Sequence, residues 1–318
     1  MLYYCCVLLL LLLQGLFQLG DAATANRPSI SSLFQSGDEV TTNQPIPGLS
    51  QSTDTLTTTS VTTTSGHVIT LTSAPRQESW DVYKQLLEAP TQCNYTVLAV
   101  DHTMTLAANT ECSITRSGVT LSEREEILRV HNTLRAKVAN GMEETGDEGP
   151  QPSGSDLRQL VWNEELAQVA QALASQCRRG HDGSNQRRIC SRSYAVGQNI
   201  FRQWSFNSES VWDSAVQAWY NEVRYMPNTY VEKFTSTVPS RRVVGHYTQV
   251  VWGTTHEIGC GAIYYPSTIN GITFPHTKIY VCNYGPAGNY VGSRVYTIGL
   301  PASRCPSTSS QDYPGLCN

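Results

Sequence analysis

The chemistry that this sequence suggests begins with a histidine. His246 stands in Gly-His-Tyr-Thr-Gln-Val-Val-Trp-Gly, residues 245–253, beside aromatic and β-branched side chains. A second dense segment, Tyr-Val-Cys-Asn-Tyr-Gly-Pro-Ala-Gly-Asn, occupies residues 280–289. No serine or cysteine lies in a nucleophile motif such as Gly-x-Ser-x-Gly. The sequence motifs therefore give no sign of a covalent hydrolase.

These two segments, with Gly259-Cys260-Gly261 and Val-Trp-Asn-Glu-Glu-Leu-Ala at 161–167, resemble motifs of a known family. They are similar to the CAP superfamily, which comprises cysteine-rich secretory proteins, venom antigen 5 and plant pathogenesis-related 1 proteins. Several separate motifs occur in the right order, and the resemblance covers residues 121–295. It implies an α+β fold, a three-layer α-β-α sandwich.

The resemblance also implies a cavity formed by two histidines and two acidic residues. The matching positions are His181, Gln198, Glu222 and His246. Two neutral imidazoles, a carboxylate and water can bind a divalent transition metal, so His181, Glu222 and His246 are candidate ligands for weakly bound zinc. Alternatively, a carboxylate beside a histidine can orient it as a general base. A third interpretation is a buried, satisfied polar network that keeps the cavity in shape.

Gln198 departs from the family pattern, in which a glutamate often stands between glycine and asparagine. An amide carbonyl is a weaker zinc ligand than a carboxylate and cannot act as a base. It can still accept a hydrogen bond from a histidine and fix its tautomer.

Aromatic residues offer a second kind of site. Tyr225, Tyr230 and Phe234 lie between the third predicted helix and His246, where the resemblance implies a loop involved in lipid or sterol binding in some members. The alternative is that they cover an edge of the core. His131 falls on the apolar stripe of the first predicted helix, which favours a packed core histidine over a ligand.

Three helices and a hairpin must position these residues. The first helix follows Leu121, with a capping box from Ser122 to Glu125 and a stop at Gly141. Asn163 is a suitable N-cap for the second helix, and the third begins at Ser208. The chain after Gly245 has strand character, and two clearer strands at 258–265 and 277–284 are joined by a turn at Asn270-Gly271.

The chain begins with features of export. Of its 318 residues, 1–23 form an apolar leader with small residues around the predicted cleavage region, although no lysine or arginine precedes the apolar run. We predict a cleaved signal peptide and a secreted, extracellular protein without a membrane span, and the alternative is an uncleaved signal anchor. The net charge of −4 gives no indication of a polyanion partner and disfavours nucleic acid.

The cysteine count supports an oxidising compartment. Eight cysteines remain after the leader and no Cys-x-x-Cys pair occurs, which indicates four disulfides among Cys93, Cys112, Cys177, Cys190, Cys260, Cys282, Cys305 and Cys317. Spacing alone does not determine the pairs. Neighbours in sequence are expected to pair, and the resemblance implies Cys260–Cys282.

Other segments flank the predicted domain. Residues 24–77 are rich in serine and threonine and are predicted to be disordered, either bare or carrying O-linked sugars. Residues 78–120 form a disulfide-containing extension, with a short helix at 80–87, a plausible Cys93–Cys112 hairpin and a glycosylation sequon at Asn94. Residues 296–318 resemble a truncated cysteine-rich hinge.

Three functions follow as hypotheses. The favoured one is a secreted, non-enzymatic binding or immunomodulatory effector whose partner is a lipid, a sterol or an extracellular protein. The second is a metal-dependent hydrolase that uses His181, Glu222 and His246. The third is a structural coat protein displayed on a glycosylated stalk.

Overall fold

The computed structural model describes residues 93–178 and 180–318, and the backbone of Thr58–Thr62 (β1) and Val68–Thr72 (β2). The chain divides into two units, Met1–Ser79 and Trp80–Asn318. In the first, β1 and β2 pair antiparallel, and their β-branched residues favour extended backbone. The predicted signal peptide, the helix at 80–87 and the rest of the predicted disordered segment lie outside the described residues.

Helices and strands of the second unit follow in a mixed order. The helices are α1 (Tyr95–Leu98), α2 (Leu121–Ala139), α3 (Glu164–Ala174), α4 (Trp212–Tyr220) and α5 (Gly245–Val250). The strands are β3 (Arg116–Ser117), β4 (Val161–Trp162), β5 (Gly197–Gln203), β6 (Glu257–Ile269) and β7 (Ile272–Gly285). Short 3-10 helices cover Thr103–Thr105, Ser184–Arg187, Asn221–Tyr225 and Asn228–Val231.

The sheet is built around the β6–β7 hairpin. Its order is β3-β6-β7-β5, with β4 pairing parallel to β6. The predicted turn is confirmed: Asn270 and Gly271 have φ of 50° and 78°, as expected of a two-residue type I′ hairpin turn. Cys260 lies opposite Cys282 in the ladder, and the two form the predicted disulfide.

Alternation along β7 places helices on both faces of the sheet. Tyr280, Cys282 and Tyr284 face a core cluster shared with α2, α4 and α5, whereas Ile279 and Val281 face one shared with α3. Successive side chains of a strand point to opposite faces, so these two clusters confirm the three-layer α-β-α arrangement. On β6, a Cβ atom at Gly259 or Gly261 would strike the backbone of α3, so these glycines permit the close packing of α3.

Two helix starts differ from expectation. The N-cap of α2 is Thr120 instead of Ser122, because Thr120 Oγ1 accepts from Glu123 N while Glu123 Oε2 accepts from Thr120 N. The third helix begins at Trp212 instead of Ser208. The backbone before it is tied to the sheet, since Glu209 O accepts from Lys278 Nζ and Val211 N donates to Tyr280 Oη.

The predicted Cys93–Cys112 hairpin is wrong. Cys93 pairs with Cys190, and Cys112 pairs with Cys177. The intervening chain contains α1 and a 3-10 turn whose first amide groups are capped by His102 Nδ1, which accepts from Met104 N. The fourth disulfide, Cys305–Cys317, does join neighbours in sequence. Among the described residues, no helix has the length and apolar character needed to cross a membrane.

Candidate functional site

His246 lies on α5, and one carboxylate both caps this helix and orients the imidazole. Glu222, which follows α4, accepts from His246 Nδ1 at 2.7 Å through Oε1. Its Oε2 accepts from the backbone amides of His246 at 2.9 Å and Tyr247 at 3.3 Å. Amides in the first turn of a helix lack intrahelical acceptors, so a carboxylate there is stabilising. This contact explains why residues 245–250 are helical and why their predicted strand character is wrong.

His181 is oriented by an amide instead of a carboxylate. It lies in the loop after α3, and its Nδ1 is 2.8 Å from Gln198 Oε1 on β5. Gln198 Nε2 donates to Asp182 Oδ1 at 3.1 Å and to Asn283 Oδ1 at 2.9 Å. Two acceptors around the amino group fix the orientation of the amide, so its oxygen must face the ring. His181 Nδ1 therefore carries the proton and Nε2 presents a lone pair.

Asp182 is the centre of the polar network behind this amide. Its carboxylate is buried and also accepts from Arg187 Nη1 and Thr103 Oγ1, both at 2.5 Å. Arg187 compensates the negative charge, which makes burial of the carboxylate tolerable. Sequence reasoning missed this residue, although its position directly after His181 was the available signal.

The two histidines lie close enough for their charges to interact. His181 is exposed at the surface, yet partial desolvation of its ring lowers its pKa, and the charges of Arg187 and His246 act in the same direction. The ring of His246 remains 29% exposed. The structure pairs His181 with Gln198 and His246 with Glu222, both at solvent-accessible positions, and we call these four residues the histidine site.

Each half of the histidine site offers one imidazole of the kind that binds metals, but His181, Glu222 and His246 do not have three ligand atoms within 4.8 Å of one another in the described part of the chain. In each ring Nδ1 faces an oxygen, and the described residues make no hydrogen bond to Nε2. Outer acceptors of this kind are typical of metal-binding histidines. Both oxygens of Glu222 are engaged with α5, so its role as a third ligand stays a prediction. Among the described residues, the one group of three close ligand atoms is Cys93, Glu165 and Cys190, whose sulfurs form a disulfide.

A buried network links the site to the core. Asn199 Nδ2 donates to His246 O at 3.1 Å and lies 3.4 Å from Tyr284 Oη. His131 Nε2 is 3.0 Å from the same hydroxyl, and its Nδ1 is 2.8 Å from Ile127 O. Both ring nitrogens of His131 are thus satisfied in a fully buried environment, which confirms it as a core histidine.

Of the three residues predicted to contact lipid, Phe234 lines a groove and the two tyrosines do not. A groove of about 440 Å³ lies beside His246, with Phe234, Val238, Val243 and Val244 as its apolar wall and Arg241 and Arg242 at its side. Phe234 is also buried against Trp252, with ring centroids 5.8 Å apart. Tyr225 and Tyr230 do not line this groove. Tyr225 instead has the guanidinium groups of Arg224 and Arg242 over its ring.

Comparison with known proteins identifies the family to which the chain is similar. Residues 128–284 match the model of the cysteine-rich secretory protein family, CAP. Venom allergen 5 of Vespa magnifica is 45% identical over 184 residues, which are 57% of this chain and 74% of that protein. Venom allergen 5 of Tityus serrulatus is 35% identical over 231 residues, which are 69% of this chain and 52% of that protein. The chain thus spans about half the length of the Tityus relative.

A solved structure extends the likeness to the fold. The crystal structure of NaASP2 with Zn²⁺ is 30% identical, with a TM-score of 0.50, covering 65% of this chain and 100% of that chain.

Proposed function

Because this chain belongs to the CAP family, we propose that it acts outside the cell as a binding protein without turnover, and that the histidine site binds zinc reversibly. The observation that carries the proposal is the matched orientation of two imidazoles. Gln198 and Glu222 each occupy an Nδ1 atom and leave an Nε2 lone pair available. The similar NaASP2 structure, which was solved with Zn²⁺, supports the choice of metal.

The absence of turnover rests on the surroundings of the two rings. In the described part of the chain, neither His181 nor His246 makes a hydrogen bond to a hydroxyl or thiol group. A nucleophile activated by histidine requires such a contact. The pKa of His181 is lowered, which keeps the ring neutral at pH 7 and available as a ligand.

Calorimetric titration of the purified secreted protein with zinc tests the metal proposal. We expect His181→Ala and His246→Ala each to weaken binding at least tenfold, since each removes one of two imidazole ligands. The matched control is His276→Ala, which lies on β7 away from the site. Unchanged zinc affinity in both site variants, or equal loss in the control, would contradict the proposal.

A lipid ligand is the second part of the binding function that we propose. The groove beside His246 combines an apolar wall with two arginines, which suits a molecule with an apolar body and a polar or anionic end. Mass spectrometry of lipids extracted from the native protein tests it, with Val243→Asp, at an exposed position of the groove wall, as the variant expected to lose the ligand. Extraction of no lipid from the parent protein would refute this part while leaving zinc binding intact.

One observation favours hydrolysis as a second candidate. The 2.7 Å contact with Glu222 is the arrangement that orients a histidine as a general base. Zinc-dependent peptide or ester cleavage that disappears in His246→Ala would establish this candidate and exclude a purely binding role.

The Ser/Thr-rich stalk with its O-linked sugars and the separate glycan at Asn94 remain predictions. Asn94 is exposed and its Oδ1 accepts from Thr96 Oγ1 at 2.6 Å, so the sequon is accessible for glycosylation. A mass shift removed by peptide N-glycosidase, and abolished in Asn94→Gln, would establish the glycan. Firm retention of the protein at a surface, instead of free recovery from the medium, would favour the coat-protein alternative.

A further inference from the structure

The β6–β7 hairpin extends beyond the rest of the sheet. β5 pairs with β7 only as far as Lys278, and β3 pairs with β6 no further than Tyr264. In the described part of the chain, the ladder from Ser267 to Phe274 therefore contains only the two strands of the hairpin. The extension is a narrow projection with the Asn270-Gly271 turn at its end.

The two faces of this projection differ. Ile269 pairs with Ile272, and Ser267 pairs with Phe274, so these side chains share one face. On the opposite face Thr268 and Thr273 join their hydroxyl groups at 3.0 Å. The first face therefore presents Ile269, Ile272 and Phe274 with Ser267 at its inner end, and the other face is polar.

Two aromatic residues after β5 enlarge the first face. Phe206 packs on Phe274 with ring centroids 4.9 Å apart, and His276 N donates to Ser205 O at 3.1 Å, which fixes the segment beside the hairpin. The side chains of Trp204, Phe206 and Ile272 are 43%, 67% and 52% exposed. We call the exposed residues Trp204, Phe206 and Ile272, together with the half-buried Phe274, the hairpin tip.

Charged side chains are few around the hairpin tip. Residues 201–208 and 264–278 contain no aspartate or glutamate, and their fixed charges are the cations Arg202 and Lys278. The guanidinium of Arg202 lies 6.0 Å from the ring centre of Trp204, behind the tip. Lys278 is buried, its Nζ donates to Glu209 O, and the nearby carboxylate of Glu209 offsets its charge. The uncharged apex is thus followed by the half-buried guanidinium of Arg202 as the available cation.

We propose that the hairpin tip docks onto the surface of a bilayer that contains anionic phospholipids. Trp204, Phe206 and Ile272 enter the interfacial layer, and Arg202 faces the phosphate groups. Tryptophan and other large apolar side chains favour this layer, and basic residues behind them are attracted to anionic lipid. The narrow, convex shape favours a lipid surface over a protein partner. A rigid protein could cover little area of such a projection, whereas a bilayer can deform around it.

Flotation of the full-length protein with vesicles of phosphatidylcholine and phosphatidylserine at a 7:3 ratio tests the proposal. We expect the parent protein to float with the vesicles, and Phe206→Ser to lower the partition coefficient about tenfold, because one exposed aromatic ring no longer enters the interface. Arg202→Gln is expected to lower it about fivefold on these vesicles and to have no effect on pure phosphatidylcholine.

Leu300→Ser is the matched control, since Leu300 is 77% exposed in the C-terminal tail, outside the tip. Its partition should equal that of the parent. Thermal melting of each variant checks folding, and quenching of tryptophan fluorescence by brominated lipid, lost in Trp204→Leu, reports insertion of the tip. The proposal is overturned if the parent fails to float, if Phe206→Ser floats equally well, or if the tip instead binds a purified protein partner without any lipid.

Discussion

The substitution Gln198→Glu tests what the amide at position 198 does, where the family resemblance implies an acid. Gln198 Nε2 lies 3.1 Å from Asp182 Oδ1, and both residues are buried. In the variant an ionised carboxylate replaces the amino group as the neighbour of a buried carboxylate. Two unit charges about 4 Å apart interact by roughly 4 kcal/mol at an effective dielectric constant near 20.

Two neighbours reduce this repulsion. Arg187 already compensates Asp182, and a new carboxylate would accept a charged hydrogen bond from His181. We therefore expect the free energy of unfolding to fall by about 2 kcal/mol at pH 7.5. The repulsion raises the folded-state pKa of the introduced glutamate above its unfolded value of about 4.3. The loss is thus complete above the folded pKa and disappears as the pH falls below about 4.

Urea unfolding of both proteins at pH 7.5 and pH 4 measures this difference, and other titrating groups cancel in the subtraction. The matched control is Gln186→Glu, because Gln186 Nε2 also donates to a carboxylate, that of Asp101, but at an exposed position. Solvent screening should limit the control to less than about 1 kcal/mol. Equal stability of Gln198→Glu and the parent at pH 7.5 would refute the proposed role of Asp182.

Three further predictions follow from particular contacts. Glu222→Gln leaves the imidazole of His246 without its carboxylate acceptor, and calorimetry should show zinc affinity reduced about 10- to 100-fold. Burial lowers the pKa of His131 to about 4, so as the pH falls the unfolded state binds a proton before the folded state does. The free energy of unfolding should therefore fall by roughly 3 kcal/mol between pH 7 and pH 4. In urea unfolding, the free energy of unfolding of His131→Gln should depend less steeply on pH. Phe234→Ala should lower the free energy of unfolding by about 3–5 kcal/mol because the ring is buried against Trp252, whereas the exposed Phe206→Ala should change it by less than about 0.5 kcal/mol.

Local signals predicted the elements that local contacts determine. The Asn163 side chain accepts from Leu166 N at 3.0 Å and starts α3 as its residue type indicated. The hairpin turn at Asn270-Gly271 required positive φ angles, which glycine and asparagine adopt most easily. In both cases a few consecutive residues contain the whole physical cause.

The errors come from contacts between distant parts of the chain. The β-branched residues after Gly245 favoured a strand, but Glu222, 24 residues earlier, supplies the acceptor for the first amides of α5. Cys93 has its partner 97 residues away. Nearness in sequence, on which the predicted pairing with Cys112 depended, could not indicate such a distant partner. The site itself was reached through family resemblance, and only the fold shows that Asp182 determines the orientation of Gln198.

The two halves of the histidine site differ in charge, and this difference has a consequence for the metal. His246 is supported by a carboxylate, whose negative charge strengthens its nitrogen as a ligand, whereas His181 is supported by a neutral amide. Asp182 does not restore the missing charge, because Arg187 neutralises it behind the amide. A dication at this site would therefore meet two neutral imidazoles and one indirect carboxylate, and it should bind more weakly than at a site with two carboxylates. Weak, reversible zinc binding is thus the expected result of placing glutamine at position 198, and the same choice removes the repulsion that a second buried acid would create.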